Sequence, residues 1–197
     1  MKRYDRAYFD RWYHGRAALV TADAIRRRAR LAIATAEHVL EREVRSVLDV
    51  GCGEGRWRAP LLRARAGLSY LGVDGSDWVV RRHGRRRSIR LGNFATIGRL
   101  GLRRRFDLIV CSDVLHYVTT ADLRRGLAAL RRLAGGILWL DALTSDDDFD
   151  GDREGWQPRG ARTYRRLFAE AGLVPCGLNA WAPRARAESL AALERGR

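Results

Sequence analysis

One string constrains this chain more than any other: Val47-Leu48-Asp49-Val50-Gly51-Cys52-Gly53-Glu54-Gly55. A short apolar run enters three glycines at alternate positions and leaves as a helix from about Arg56 to Ala66. A buried strand followed by a glycine turn and a helix commits a chain to an α/β architecture. Glycine lets the backbone turn sharply and approach a ligand with no Cβ in the way. The spacing is G-x-G-x-G, not the G-x-G-x-x-G of nicotinamide sites, so a pyrophosphate need not sit here.

The rest of the chain repeats the alternation, which predicts a mostly parallel sheet with no linker between domains. Strands are expected at 70–73 (ending at Asp74), 88–91, 106–111, 137–140 and from Leu173, the last at an edge because Pro175 lacks a ladder donor. Thr119-x-x-Asp122 opens a helix like a capping box. Gly135-Gly136 is expected to end that helix, and Tyr164, Leu167, Phe168 and Ala171 mark another. Residues 1–45 are expected to form a helical arm that covers the site, ahead of the domain at 46–197. Within it, Ile25, Ala29, Ile33, Ala36 and Leu40 share one apolar face, opposite Arg26, Arg27 and Arg30. The tail from Ala185 to Leu193 reads as helix, so six strands can be placed and a seventh is left open.

Three strand ends carry candidate chemistry. Asp74 stands where an acid accepts hydrogen bonds from ribose hydroxyls in nucleotide-binding sheets. Leu91-Gly92-Asn93-Phe94 follows the third strand. Cys111-Ser112-Asp113-Val114-Leu115-His116-Tyr117 leaves the fourth at the edge where open α/β sheets bind ligands. The strings VLDVGCGEGRW, YLGVD, LGNF and FDLIVCSDVLHYV, in this order, resemble a class I S-adenosylmethionine-dependent methyltransferase over about residues 46–175. That resemblance implies a Rossmann-like, doubly wound, mostly parallel sheet of six or seven strands.

It also implies S-adenosylmethionine as cofactor, with S-adenosylhomocysteine as product. Gly51, Cys52, Gly53 and Gly55 would pack on the methionine part, with Asp49 orienting that loop. Asp74 and Gly75 would hold the ribose, Asn93 and Phe94 the adenine, and Ser112 would complete the site. Asn93 stands where many members carry Asp. His116 has two readings, a base toward the acceptor or a histidine packed on the following helix, and Asp113 is the alternative base. Tyr8, Trp12, Tyr13, Tyr117 and Asp141 are candidate acceptor contacts. No metal is expected. Asp146-x-Asp148-x-Asp150-Gly151 mimics the start of a calcium loop, but Gln157 replaces its bidentate Glu and a strand precedes it.

Composition separates the remaining function classes. The 197 residues carry a formal charge of +15, and of 38 basic residues all but Lys2 are arginine. That balance suits nucleic acid, yet abundant Arg, Ala and Gly also follow from GC-rich coding. Residues 141–154 hold seven acids, predicting an acidic rim suited to a cationic or amine-bearing acceptor, or else a loop pairing internally with Arg153, Arg159 and Arg162. The expected activity is O- or N-methylation of a small molecule by a monomer or homodimer. An RNA or DNA methyltransferase and a non-catalytic cofactor-binding regulator are the alternatives. No apolar leader or membrane-length run is seen, and Cys52, Cys111 and Cys176 read as reduced thiols, so a cytoplasmic protein is expected.

Overall fold

The computed structural model describes residues 4–14, 20–148 and 152–196. The arm contributes helices α1 (Arg6–Tyr13) and α2 (Ala22–Leu40). The sheet region follows as β1 (Ser46–Val50), α3 (Arg58–Ala64), β2 (Ser69–Asp74), α4 (Asp77–Arg87), β3 (Ile89–Leu91) and β4 (Phe106–Ser112). It continues through α5 (Thr120–Leu133), β5 (Ala134–Asp141), α6 (Ala161–Glu170), β6 (Leu173–Gly177), β7 (Ala180–Pro183) and α7 (Arg184–Ala187). The seven strands lie in the order β3-β2-β1-β4-β5-β7-β6. β1 to β5 are mutually parallel, and β7 runs antiparallel to both neighbours.

Both faces of the sheet are covered, which is why its central strands read as unbroken apolar runs. Val47, Leu108, Val110, Ile137 and Trp139 face the layer built with α2 and α3. Leu48, Val50, Ile109, Cys111, Leu138 and Leu140 face the opposite layer, with leucines of α5 and the aromatic residues of α6. The apolar stripe of α2 is buried as expected, and Arg26, Arg27 and Arg30 are exposed. α2 is therefore part of the core rather than only a cover. α1 lies over the carboxyl edge of the sheet, where Phe9 packs with Cys52, Val79 and Ile89, and the start of α2 borders the same edge through Ile25 and Arg28.

Three local expectations need correction. Gly135 and Gly136 lie inside β5, and α5 ends before them. A Cβ on Gly136 would stand 2.2 Å from the Asp107 carbonyl oxygen, so glycine permits a close strand approach there. The tail after Gly177 turns back as β7. Leu178 and Asn179 both have positive φ (46° and 68°), the mark of a two-residue hairpin turn that matches strand twist. Helix in the tail shrinks to the single turn α7 and a 3-10 turn at Ala192–Glu194. At α5, the Thr119 hydroxyl accepts from the Asp122 N–H (3.2 Å), but the Asp122 carboxylate takes that same hydroxyl (2.9 Å). Only half of a capping box is formed.

Gly126 gives a test of the packing between α5 and the turn after β3. The place of its missing Cβ lies 2.1 Å from the Phe94 ring and 2.6 Å from the Phe94 carbonyl oxygen. Alanine in a helix interior ordinarily gains about 1 kcal/mol over glycine. Here Gly126→Ala is expected to lose roughly 1–3 kcal/mol through overpacking, measured by urea denaturation.

Candidate active site

The glycine loop is shaped by where its N–H groups go. Gly51 and Cys52 donate to the Val73 carbonyl (2.7 and 3.2 Å), and Gly53 donates to the Asp74 carboxylate (2.7 Å). The turn places Gly51, Gly53 and Gly55 at φ of 71°, 52° and 79°, a region costly for residues with a Cβ. A Cβ on Gly51 would also meet Val114 at 2.3 Å. Gly51 and Gly53 line the cleft above the sheet. Gly55 does not: it faces Ile89, Arg87 and Tyr70 inside the fold, so its role is the turn itself.

The cleft has two compartments. A tight recess of about 60 Å³ is walled by Asp49, Cys52, Ser112, Arg28 and Arg56. A larger compartment of about 320 Å³ is walled by Asp74, Gly75, Asn93 and Phe94 on one side and Tyr4, Tyr8, Val114 and Tyr117 on the other. Phe9, Tyr13, Gly51, Gly53 and Asp113 border both.

Asp49 is buried and accepts the Tyr70 hydroxyl at 2.7 Å. Burial pushes its carboxyl up to about 7, the Tyr70 bond opposing and the Asp74 charge adding to the rise. Asp74 is raised by burial and steadied by the Ser76 (2.9 Å) and Gly53 N–H groups. The Asn93 side-chain oxygen accepts from the Thr96 N–H (3.0 Å) and hydroxyl (3.1 Å), closing its own turn. Burial also pushes the Cys52 thiol up, so it is a neutral wall of the recess.

Asp113 is the charged group at the junction. Its φ is +63°, a strained conformation that Asp tolerates better than most residues, and its N–H donates to the Asp141 carbonyl (3.2 Å). Burial, reinforced by Asp141, pushes its carboxyl up to about 6, against the opposing Tyr13 bond and the charges of Arg28 and Arg56. The Tyr13 hydroxyl donates to it at 3.4 Å.

His116 does not face the cleft. It is fully buried, its Nδ1 accepts from the Leu143 N–H (3.4 Å), and its Nε2 stands 3.6 Å from Asp113. Of the two readings of His116, this placement suits the packed histidine, behind Asp113. Asp141 also stands behind the wall, accepting from Ser112 (3.1 Å) and pairing with Arg28 (2.8 Å). Trp12 lies outside the cleft, beside Arg11 in a groove against Asp152 and Glu154. Tyr8, Tyr13 and Tyr117 do line it.

The acidic stretch is spent differently from expectation. Asp146 accepts from the Ala161 N–H at the start of α6 (2.8 Å), and Asp147 accepts from the Thr144 N–H and hydroxyl (2.8 Å each). No metal-binding cluster occurs among the described residues, and Asp150 and Gly151 lie outside them. Arg159 pairs with no described acid of this loop. It is buried and donates to the Leu115 and Val118 carbonyls, the Thr120 hydroxyl and the Tyr164 hydroxyl, pinning the turn that carries His116. Sequence reasoning missed this role, and missed Arg28 and Arg56 in the recess. A lone arginine carries no local signal of the carbonyls or carboxylates that will surround it. The arm is pinned by His14, which contacts Glu54 (2.7 Å) and Asp10 (2.9 Å), while His83 contacts the other Glu54 oxygen (3.1 Å).

Comparison with known proteins bears on the fold that carries this cleft. Residues 48–136 match a family model described as a methyltransferase domain. No curated protein matches by sequence. The fold is similar to a SAM dependent methyltransferase from Archaeoglobus fulgidus (TM-score 0.64, 15% identity, 85% of this chain and 73% of that one). It is similar to the plantazolicin methyltransferase BamL, solved with a triazolic desmethylPZN analog and SAH (0.63, 13%, 80% and 67%). It is also similar to the sugar N-methyltransferase KedS8 from Streptoalloteichus (0.62, 21%, 87% of each). The sheet order is that of a Rossmann-like α/β fold, and residues 48–136, which carry the glycine loop and the strand-end acids, are similar to a methyltransferase domain.

Proposed function

We propose that the cleft binds S-adenosylmethionine and passes its methyl group to a small-molecule acceptor entering from the α1 side. The observation that carries this is the division of the cleft into two compartments that meet at Gly51, Gly53 and Asp113. A nucleoside joined to an amino acid through a sulfonium needs two such compartments with the sulfur at their junction. The donor sets fit. Asp74 suits the ribose hydroxyls. Asp49 suits the amino group, and Arg28 and Arg56 suit the carboxylate of the amino-acid part. Gly75, Asn93 and Phe94 border the side left for the adenine, and Cys52 and Ser112 complete the recess.

When bound, S-adenosylmethionine supplies an already activated methyl group. The protein therefore has to orient the acceptor and exclude water, rather than activate the donor. The tyrosines of α1 and Phe9 do this from above, and Asp113 and Tyr117 from the side. The arginine clusters at 81–82, 85–87 and 103–105 stand outside both compartments, which favours a small molecule over nucleic acid. No helix among the described residues is long and apolar enough to cross a membrane.

Calorimetry with S-adenosylhomocysteine is expected to show binding to the wild-type protein. Asp74→Ala and Gly53→Val are each expected to weaken it at least ~10-fold, the scale of a lost charge-assisted hydrogen bond. Wild-type affinity in both folded variants would remove the site.

Asp49 adds a pH signature. Its folded value of about 7 lies above the ordinary carboxyl value of 3.8. Its contribution to stability is thus fully present below about pH 4 and is lost as pH rises through about 7. Asp49→Asn is expected to destabilise least, or to stabilise, above pH 7, and to compare less favourably with wild type near pH 4. Urea denaturation of both proteins across this window measures it, and a pH-independent difference would refute the assignment.

A further inference from the structure

We propose that the methyl acceptor is an amine, bound as a cation between the Asp113 carboxylate and the tyrosine rings of the arm. This rests on the cleft being the methyl-transfer site and names the class of molecule it takes.

The first observation is one of composition against location. The chain carries 38 basic residues in 197, yet none of the described residues walling the larger compartment is arginine, lysine or histidine. Its charged wall residues are three aspartates: Asp74, Asp113 and Asp122. The arginines that do reach the cleft, Arg28 and Arg56, sit in the other recess, where the donor's carboxylate needs them.

The second observation is that two of the three acids are already committed. Asp74 takes the Gly53 and Ser76 N–H groups and faces the ribose side. Asp122 at the mouth pairs with Arg125 and takes the Thr119 hydroxyl. Asp113 remains, at the point where both compartments meet. Its side chain contacts the Tyr13 hydroxyl at 3.4 Å and the His116 ring at 3.6 Å.

The third observation is the aromatic wall around it. Tyr4 and Tyr8 pack edge to face at 4.9 Å, Tyr8 and Tyr13 lie 6.0 Å apart, and Tyr117 completes the side. Burial and neighbouring acids, Asp152 among them for Tyr4, Tyr8 and Tyr117, hold these hydroxyls protonated. Neutral rings beside a carboxylate are the environment that stabilises an ammonium group, and one that rejects phosphates and carboxylates.

The chemistry follows from the same groups. The bound ammonium passes a proton to the Asp113 carboxylate, and the freed nitrogen lone pair forms the new N–C bond to the methyl carbon. The S–C bond breaks with its electrons remaining on sulfur, giving neutral S-adenosylhomocysteine and a methylated ammonium. Asp113 then returns its proton to solvent. A carboxylate is too weak a base to serve an alcohol in this way, and His116 lies behind Asp113 rather than at the cleft.

The test measures binding of benzylamine, benzyl alcohol and benzoate to the protein loaded with S-adenosylhomocysteine, by saturation-transfer NMR. Benzylamine is expected to bind roughly tenfold or more tightly than the alcohol, and benzoate least. Asp113→Asn keeps the left-handed backbone that Asn tolerates. It is expected to bring the amine down to the level of the alcohol while S-adenosylhomocysteine still binds. Equal binding of the three probes, no binding of any, or an undiminished amine preference in Asp113→Asn would overturn the proposal. Loss of S-adenosylhomocysteine binding by the wild type would instead strike the cofactor reading. The same ranking measured on the free protein then decides the amine question by the same criteria.

Discussion

The site depends on one set of hydrogen bonds, the three from the glycine loop to the end of β2. Buried N–H groups must find partners, and those of Gly51, Cys52 and Gly53 find them in the Val73 carbonyl and the Asp74 carboxylate. The loop is thereby folded over β2 rather than continuing upward from β1. Strand order reverses at β1, with β2 and β3 on one side and β4 and β5 on the other. A loop drawn toward β2 leaves the crevice over the junction with β4 open, which is where open α/β sheets take ligands. Asp113 borders that crevice from the β4 side and α1 covers it.

The excess of positive charge acquires a different meaning once arginines are placed. Several fasten elements together rather than await a partner. Arg42 binds Asp107 at 2.7 Å and holds its carboxyl below the usual range, against the cost of burial. Arg65 binds Glu37 and Glu43, Arg28 reaches Asp141, and Arg159 gathers the carbonyls of the turn after β4. The larger compartment of the cleft departs from the rest of the molecule in having an acidic, aromatic wall. Net charge is a statement about the whole surface, whereas recognition is decided by the few groups lining a cavity.

What the sequence made legible was what local pattern controls. β1, β2 and β4 are buried on both faces, so their apolar runs are continuous, and Gly51 and Gly53 announce the turn between them. Asp74 and Asp113 both line the cleft, and they stand out in the sequence because strand ends at that edge are few. β7 was not found, because its Ala-rich string carries helical propensity and its hairpin rests on positive φ at Leu178 and Asn179. Gly55, Trp12 and His116 stand in the segments that the sequence singles out. Their directions, inward, outward and behind the wall, are set by packing across elements distant in sequence.

Hydrogen exchange with and without S-adenosylhomocysteine tests the central claim most directly, since it reports on the backbone of the loop and the arm together. The expected result is slowed exchange at 51–55, 74–76 and 93–96 and across α1, with the outer surface of α4 and the 144–148 loop unchanged. Unaltered exchange in the glycine loop, or protection confined to the arginine-rich surface of α4, would contradict it.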